Sequence, residues 1–142
     1  MGRISPTLKE VIKRLSWFLG IALAVQGCSG FVYDRKIDGP YRLTAIDTMS
    51  AMTVTYALDN KDTVGRIGKT VFAVGWNKRY IVAKRHPPSS NAVTEYFYLD
   101  RGADSGYSDP SKSVTGPLSK DDFIRATNEL ELPAFSIAVD PK

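Results

Sequence analysis

One cysteine, Cys28, and one histidine, His86, are the residues of this chain whose chemistry no other side chain in it can duplicate. His86 is the natural place to look for a general base. It follows Lys84-Arg85 and precedes Pro87-Pro88, and local sequence sets neither a serine nor an acid beside it. A triad is defined by geometry rather than by spacing, so a loop-edge histidine without a catalytic role is the expected reading. Asp100, Asp104 and Asp109 lie in a stretch rich in Gly and Ser and could offer oxygen ligands to calcium. Their spacing departs from the helix-flanked D-x-[DN]-x-[DN]-G loop and lacks its closing glutamate, which leaves a solvated acidic loop. Gly65-Arg66-Ile67-Gly68-Lys69-Thr70 closes like a phosphate loop, yet Thr63 stands where the first glycine is required and a strand pattern follows where a helix is needed. A last concentration is aromatic: Trp76, Tyr80, Tyr96 and Tyr98, with Arg79, Lys84 and Arg85 among them. Trp, Tyr and Arg are enriched where proteins bind proteins. The competing expectation is that these rings fill space beneath a helix, since aromatics dominate core energetics. A contact surface in this chain would be built from Trp76, Arg79, Tyr80, Tyr96 and Tyr98.

The leader explains the cysteine. Arg3, Lys9, Lys13 and Arg14 face only Glu10, and an apolar run follows from Leu15 to Val25. A basic head, a short apolar run and small residues at its end form the layout of a secretory signal peptide. The run falls short of the ~20 residues that a spanning helix needs. Its end, Val25-Gln26-Gly27-Cys28, resembles the lipobox of bacterial lipoproteins. In that family the cysteine thiol is joined to a diacylglycerol, the signal is cut before it, and the new amino terminus is acylated. The resemblance implies that Cys28 is the lipid-attachment residue, carrying a covalent diacylglycerol and acyl chain with no other cofactor. Acyl chains at about 0.8 kcal/mol per buried methylene hold a protein on a bilayer without a spanning helix. Ser29 stands where an aspartate would favour inner-membrane retention. The resemblance therefore implies a cell-envelope protein on the outer membrane, facing the periplasm, where the source has two membranes.

Removing residues 1–27 leaves 115 residues, enough for one domain and one modest core. The four cations and one acid of the leader account for most of the net charge of +4, leaving 15 Lys+Arg against 14 Asp+Glu. That balance removes the main support for nucleic-acid binding, which needs a concentrated basic surface. With Cys28 lipidated the domain has no thiol for a disulfide, and one histidine leaves a transition-metal site within one chain short of its usual His and Cys ligands.

Alternation sets the elements. Tyr41–Asp47 is a first strand, and Ala51–Leu58 places Met52, Val54, Tyr56 and Leu58 on one face. Asp59-Asn60-Lys61-Asp62 turns the chain. Ile67–Trp76 and Arg79–Arg85 form a tight hairpin, apolar on both alternating sets and hence central. The two prolines after His86 make a loop. Val93–Asp100 puts Val93, Phe97 and Leu99 on one face and Tyr96 and Tyr98 on the other. Arg101–Pro117 has little to bury and reads as a long mobile loop. Ser119 caps a helix ending near Leu130, before Glu131-Leu132-Pro133, with Leu118 and Phe123 as its staple. Ala134–Val139 is a final strand. The sum is an α+β, mainly β fold: an antiparallel meander of five or six strands with one short helix packed on the sheet. Residues 1–27 are the signal peptide, 28–39 a tether, and 40–142 the single domain. The run Val74–Lys84 resembles a hairpin found in small bacterial proteins of unknown function, many of them lipoproteins, and carries over no functional residue.

The function expected from these features is a lipid-anchored, non-enzymatic module of the cell envelope. Its partners would be the membrane, through the anchor, and a protein or other envelope component, with an inhibitor or immunity role among those that suit its size. The alternatives are a small envelope hydrolase using His86 and an acid from Arg101–Pro117, and a structural lipoprotein whose anchor matters more than any site.

Overall fold

The computed structural model describes residues 30–142. The leader and Cys28 lie outside the described residues. Among the described residues nine strands and one α-helix follow in order: β1 Phe31–Asp38, β2 Tyr41–Ile46, β3 Thr53–Ala57, β4 Thr63–Ile67, β5 Val71–Trp76, β6 Tyr80–Arg85, β7 Glu95–Asp100, β8 Val114–Leu118, α1 Lys120–Leu130 and β9 Ile137–Ala138. All pairings are antiparallel. The strands make two sheets rather than one meander, in the orders β1-β2-β3-β4 and β8-β7-β6-β5-β9.

The division falls inside the run Ile67–Trp76, expected as one strand. β4 ends at Ile67, Gly68-Lys69-Thr70 carry the chain across, and the Val71 amide donates to the Met52 carbonyl at 2.9 Å. The inner faces of the two sheets then share one core. Leu43, Ala45, Val54 and Ile67 meet Val74, Ile81, Ala83, Phe97 and Leu99. A single sheet would have left half of these to one helix, and 11 residues span only ~16 Å. Face-to-face packing of sheets is the arrangement that buries both rows.

The helix covers the opposite face of the second sheet. Along β6, Ile81 and Ala83 point into the core between the sheets, while Tyr80 and Val82 join Phe123 and Leu132 beneath α1. All four β6 residues are buried, as the apolar run on both alternating sets predicts for a central strand. Ser119 caps the helix, its hydroxyl accepting from the Asp122 amide at 3.2 Å. Asp121 and Asp122 add negative charge in the first turn, where the dipole favours it. Glu131, in the left-handed region at φ 54°, ends it.

Two other expectations are corrected. Phe31–Asp38, expected as tether, is a strand. It pairs with β2 along its length, from Phe31 opposite Ile46 to Asp38 opposite Tyr41. Its charges are those of an edge strand, solvated on both faces over Asp34-Arg35-Lys36, and Gly39-Pro40 is the two-residue turn inside that hairpin, with Gly39 at φ 57°. The segment Arg101–Pro117 is not a loose loop. It holds two short 3-10 turns, Arg101–Ala103 and Pro110–Lys112, and the first four residues of β8. Aspartate side chains cap both turns, Asp100 accepting from Gly102 and Asp109 from Ser111. The bonds from Ser111 hold the Asp109 carboxyl below its ordinary value.

Candidate functional site

Strand direction gives the domain two ends. At one lie the start of β1, the end of β2 and the start of β5; at the other lie the β5–β6 hairpin, the end of β7 and the β1–β2 turn. The hairpin end is the better built. Asn77 accepts on its side-chain oxygen from the amides of Arg79 (2.9 Å) and Tyr80 (2.7 Å), while its own amide donates to the Tyr80 carbonyl. These bonds replace the glycine that a tight hairpin usually requires. Arg101 fastens the hairpin to the first sheet. Its guanidinium donates to the Asn77 carbonyl at 2.7 Å and pairs with Asp38 at 2.8 Å.

Lys78 and Arg79 stand exposed at the tip. Arg79 lies 5.1 Å above the Tyr80 ring and 3.4 Å from the Asp100 carboxylate. A shallow depression opens on each side. One, of about 550 Å³, lies against the end of α1 and is lined by Lys78, Arg79, Tyr80, Glu129, Leu130 and Glu131. The other, of about 460 Å³, is lined by Lys78, Arg79, Asp100, Gly102 and Ala103. Two cations between three acids, with an aromatic floor, suit recognition of a polar protein surface of alternating charge.

Of the five residues expected in a contact surface, only Arg79 is exposed there. Tyr80 is buried beneath α1, where its ring meets Tyr98 edge-on at 6.1 Å. Tyr96 stacks on Phe123 at 5.0 Å, and both Tyr96 and Tyr98 are half-buried. Trp76 faces the other way and packs against the core between the sheets. The sheet therefore separates Trp76 from the tyrosines. Lys84 sits over the rings of Phe135 (4.5 Å) and Tyr96 (5.7 Å), covering the margin of this aromatic layer.

His86 lies at the far end of β6. Its ring stacks on Phe72 with centroids 4.3 Å apart. Nδ1 is 2.9 Å from the Val93 carbonyl, which can only accept, so Nδ1 carries a proton. A small pocket of about 230 Å³ beside it is lined by Ser50, Thr70, Asn91, Asp140 and Lys142. The acids of 101–117 are not its neighbours. Asp100 pairs with Tyr80 at the opposite end of β6, roughly 20 Å away at 3.4 Å per residue.

Asp104, expected as a solvated acid, is the centre of a buried clasp. Its carboxylate accepts from Tyr41 Oη (2.9 Å), Arg66 Nε (3.0 Å), Ser113 Oγ (2.9 Å) and Ser108 Oγ (3.3 Å). The Arg66 and Asp104 side chains are both 0% exposed. Arg66 also donates to the Ser105 and Gly65 carbonyls, and Gly106 lies against Leu58 and Tyr56, where a side chain would collide. No sequence signal joins Arg66 to Asp104, since each is locally a solvated charge. Among the described residues, every buried side-chain nitrogen and oxygen is hydrogen-bonded, and no three His, Cys, Asp or Glu side chains converge as metal ligands do.

The clasp makes a pH prediction. Burial, reinforced by the hydrogen bond to Asp104, raises the Tyr41 phenol well above its ordinary value. An unfolded tyrosine loses its proton near pH ~10 while folded Tyr41 keeps it, so this stabilisation is whole below about pH 10 and declines as pH rises above it. Tyr41→Phe is expected to unfold at lower urea than the wild type at neutral pH, having lost one buried hydrogen bond. Its stability should then fall less steeply between about pH 9.5 and 11.5. Urea titrations across that range decide it, and parallel slopes would remove Tyr41 as the source.

Two facing antiparallel sheets with a helix outside one of them, and a charged hairpin at one end, define a small, mainly β, α+β domain. Residues 39–136 match the family described as Protein of unknown function (DUF3997), and the chain belongs to that family. The match begins at the β1–β2 turn, so β1 precedes it. No curated protein and no solved structure matches the chain.

Proposed function

We propose that this protein is a lipid-anchored, non-enzymatic module of the cell envelope, held by acylated Cys28 and acting through the hairpin end. The observation that carries the contact reading is the placement of Lys78 and Arg79 between two depressions, at the end opposite the start of β1. An anchor at Cys28 would direct that end away from the membrane, toward an envelope protein. An outer-membrane location facing the periplasm follows from Ser29 where the source has two membranes, and an inhibitor or immunity role suits a small rigid binder.

Cys28→Ser is expected to abolish acyl labelling in cells and move the protein to the soluble fraction; unchanged labelling refutes the anchor. A photo-crosslinker at Lys78 should capture a discrete envelope protein. Arg79→Glu should weaken that complex by about 2 kcal/mol, some 30-fold in Kd. A crosslinking blank, or full affinity in the Arg79 variant, counts against the hairpin as the contact face.

A further inference from the structure

We infer that Phe31, Val32 and Ile46 form a membrane-contacting corner, so that the domain docks on the bilayer instead of swinging from its anchor. This inference rests on the reading of Cys28 as the acylated residue.

Chain length carries the first step. Cys28 and Phe31 are three residues apart, and an extended chain spans at most ~3.6 Å per residue, so the first strand starts within about 11 Å of the anchor. The slack is shorter still. The Asp47 amide donates to the Gly30 carbonyl at 3.0 Å, which carries the β1–β2 pairing one residue closer to Cys28. A domain tied this closely keeps that corner at the headgroup layer, which is roughly 6 Å deep on each side of the hydrocarbon.

The residues placed there fit an interface. Phe31 is 39% exposed, Val32 52% and Ile46 50%. Phe31 and Ile46 lie directly opposite each other across the two strands, and Val32 is the extra residue where the register shifts. Of the other exposed large apolar residues, Ile124 and Leu130 lie on α1, and Val93 and Tyr107 lie in loops. Lys69 lines the same depression as Ile46, while Asp47 stands beside it in sequence. The charges offset each other, so apolar burial rather than attraction to anionic lipid carries the docking.

The test uses the full-length acylated protein, whose only natural thiol is consumed by the lipid. Ile46→Cys then supplies one free thiol for an environment-sensitive fluorophore, with Tyr107→Cys as the control. Tyr107 is 88% exposed and follows Gly106, which packs on Leu58 at the hairpin end. In phosphatidylethanolamine–phosphatidylglycerol vesicles the label at residue 46 should shift to the blue. Lipids spin-labelled near the headgroup should quench it several-fold more than the label at 107. Raising the salt should leave this difference in place. Equal quenching at both positions in acylated, vesicle-bound protein overturns the corner and leaves the anchor standing. Absent acylation removes the reading beneath it. Shielding from aqueous iodide without lipid quenching assigns the corner to a second copy or another protein and also overturns the inference. Val32→Cys repeats the measurement should Ile46→Cys fail to fold.

Discussion

Asp104→Ala is expected to destabilise the domain by about 3–5 kcal/mol, the range for breaking a buried ion pair by removing one partner. The size follows from what is left behind. Arg66 would keep its charge with its side chain fully out of solvent, and Tyr41, Ser108 and Ser113 would each lose an acceptor. Small domains hold roughly 5–15 kcal/mol in all, so the variant should melt far below the wild type and expose 101–113 to protease. Urea unfolding followed by circular dichroism measures it, and a midpoint close to the wild type's would overturn the role given to the clasp. Replacing both partners, as Arg66→Leu with Asp104→Leu, should recover much of the loss. Well-packed apolar pairs often match buried ion pairs in stability, whereas one charge alone does not.

Gly75→Ala is expected to cost about 3 kcal/mol, at the upper end for an overpacked site, and to act on one segment first. A methyl group at Gly75 would sit 1.9 Å from the Ala134 carbonyl oxygen and 3.0 Å from the Phe135 Cα. Both are backbone atoms, so no rotamer change relieves the collision. The segment is held there by the Ser136 amide on the Val74 carbonyl and the Val139 amide on the Phe72 carbonyl, each at 2.9 Å. The expected relief is detachment of β9 from β5. Hydrogen exchange should show protection lost at Ser136 and Val139 before the β6 amides are affected. Unchanged protection at those two amides would mean that the segment can move aside at little cost.

Much of the second sheet was legible because its residues obey local rules. Ser119 caps, Leu130 ends the helix, and alternation along Tyr96–Leu99 sends Phe97 and Leu99 to one face and the tyrosines to the other. What escaped depends on partners distant in sequence. β1 carries Asp34, Arg35 and Lys36 because this part of the edge strand is solvated on both faces. Its buried residue Ile37 is too isolated to stand out. Arg66 and Asp104, 38 positions apart, look solvated until the fold brings them together. Of the five residues expected in a contact surface, only Arg79 is exposed at the hairpin. Parity alone separates Trp76 from Tyr96 and Tyr98 once the strands pair, but Tyr80 follows a turn, and burial beneath α1 claims its ring.

The pairing of β1 also decides how the domain would bear a load. An anchor before Phe31 and a partner at the hairpin end would pull in opposite directions, close to the axis of the first strand. Six residue pairs connect β1 to β2, and tension along that axis loads them together in shear, where peeling would break them one after another. With the proposed anchor and partner in place, the strand expected as a tether would be the element that carries force between them.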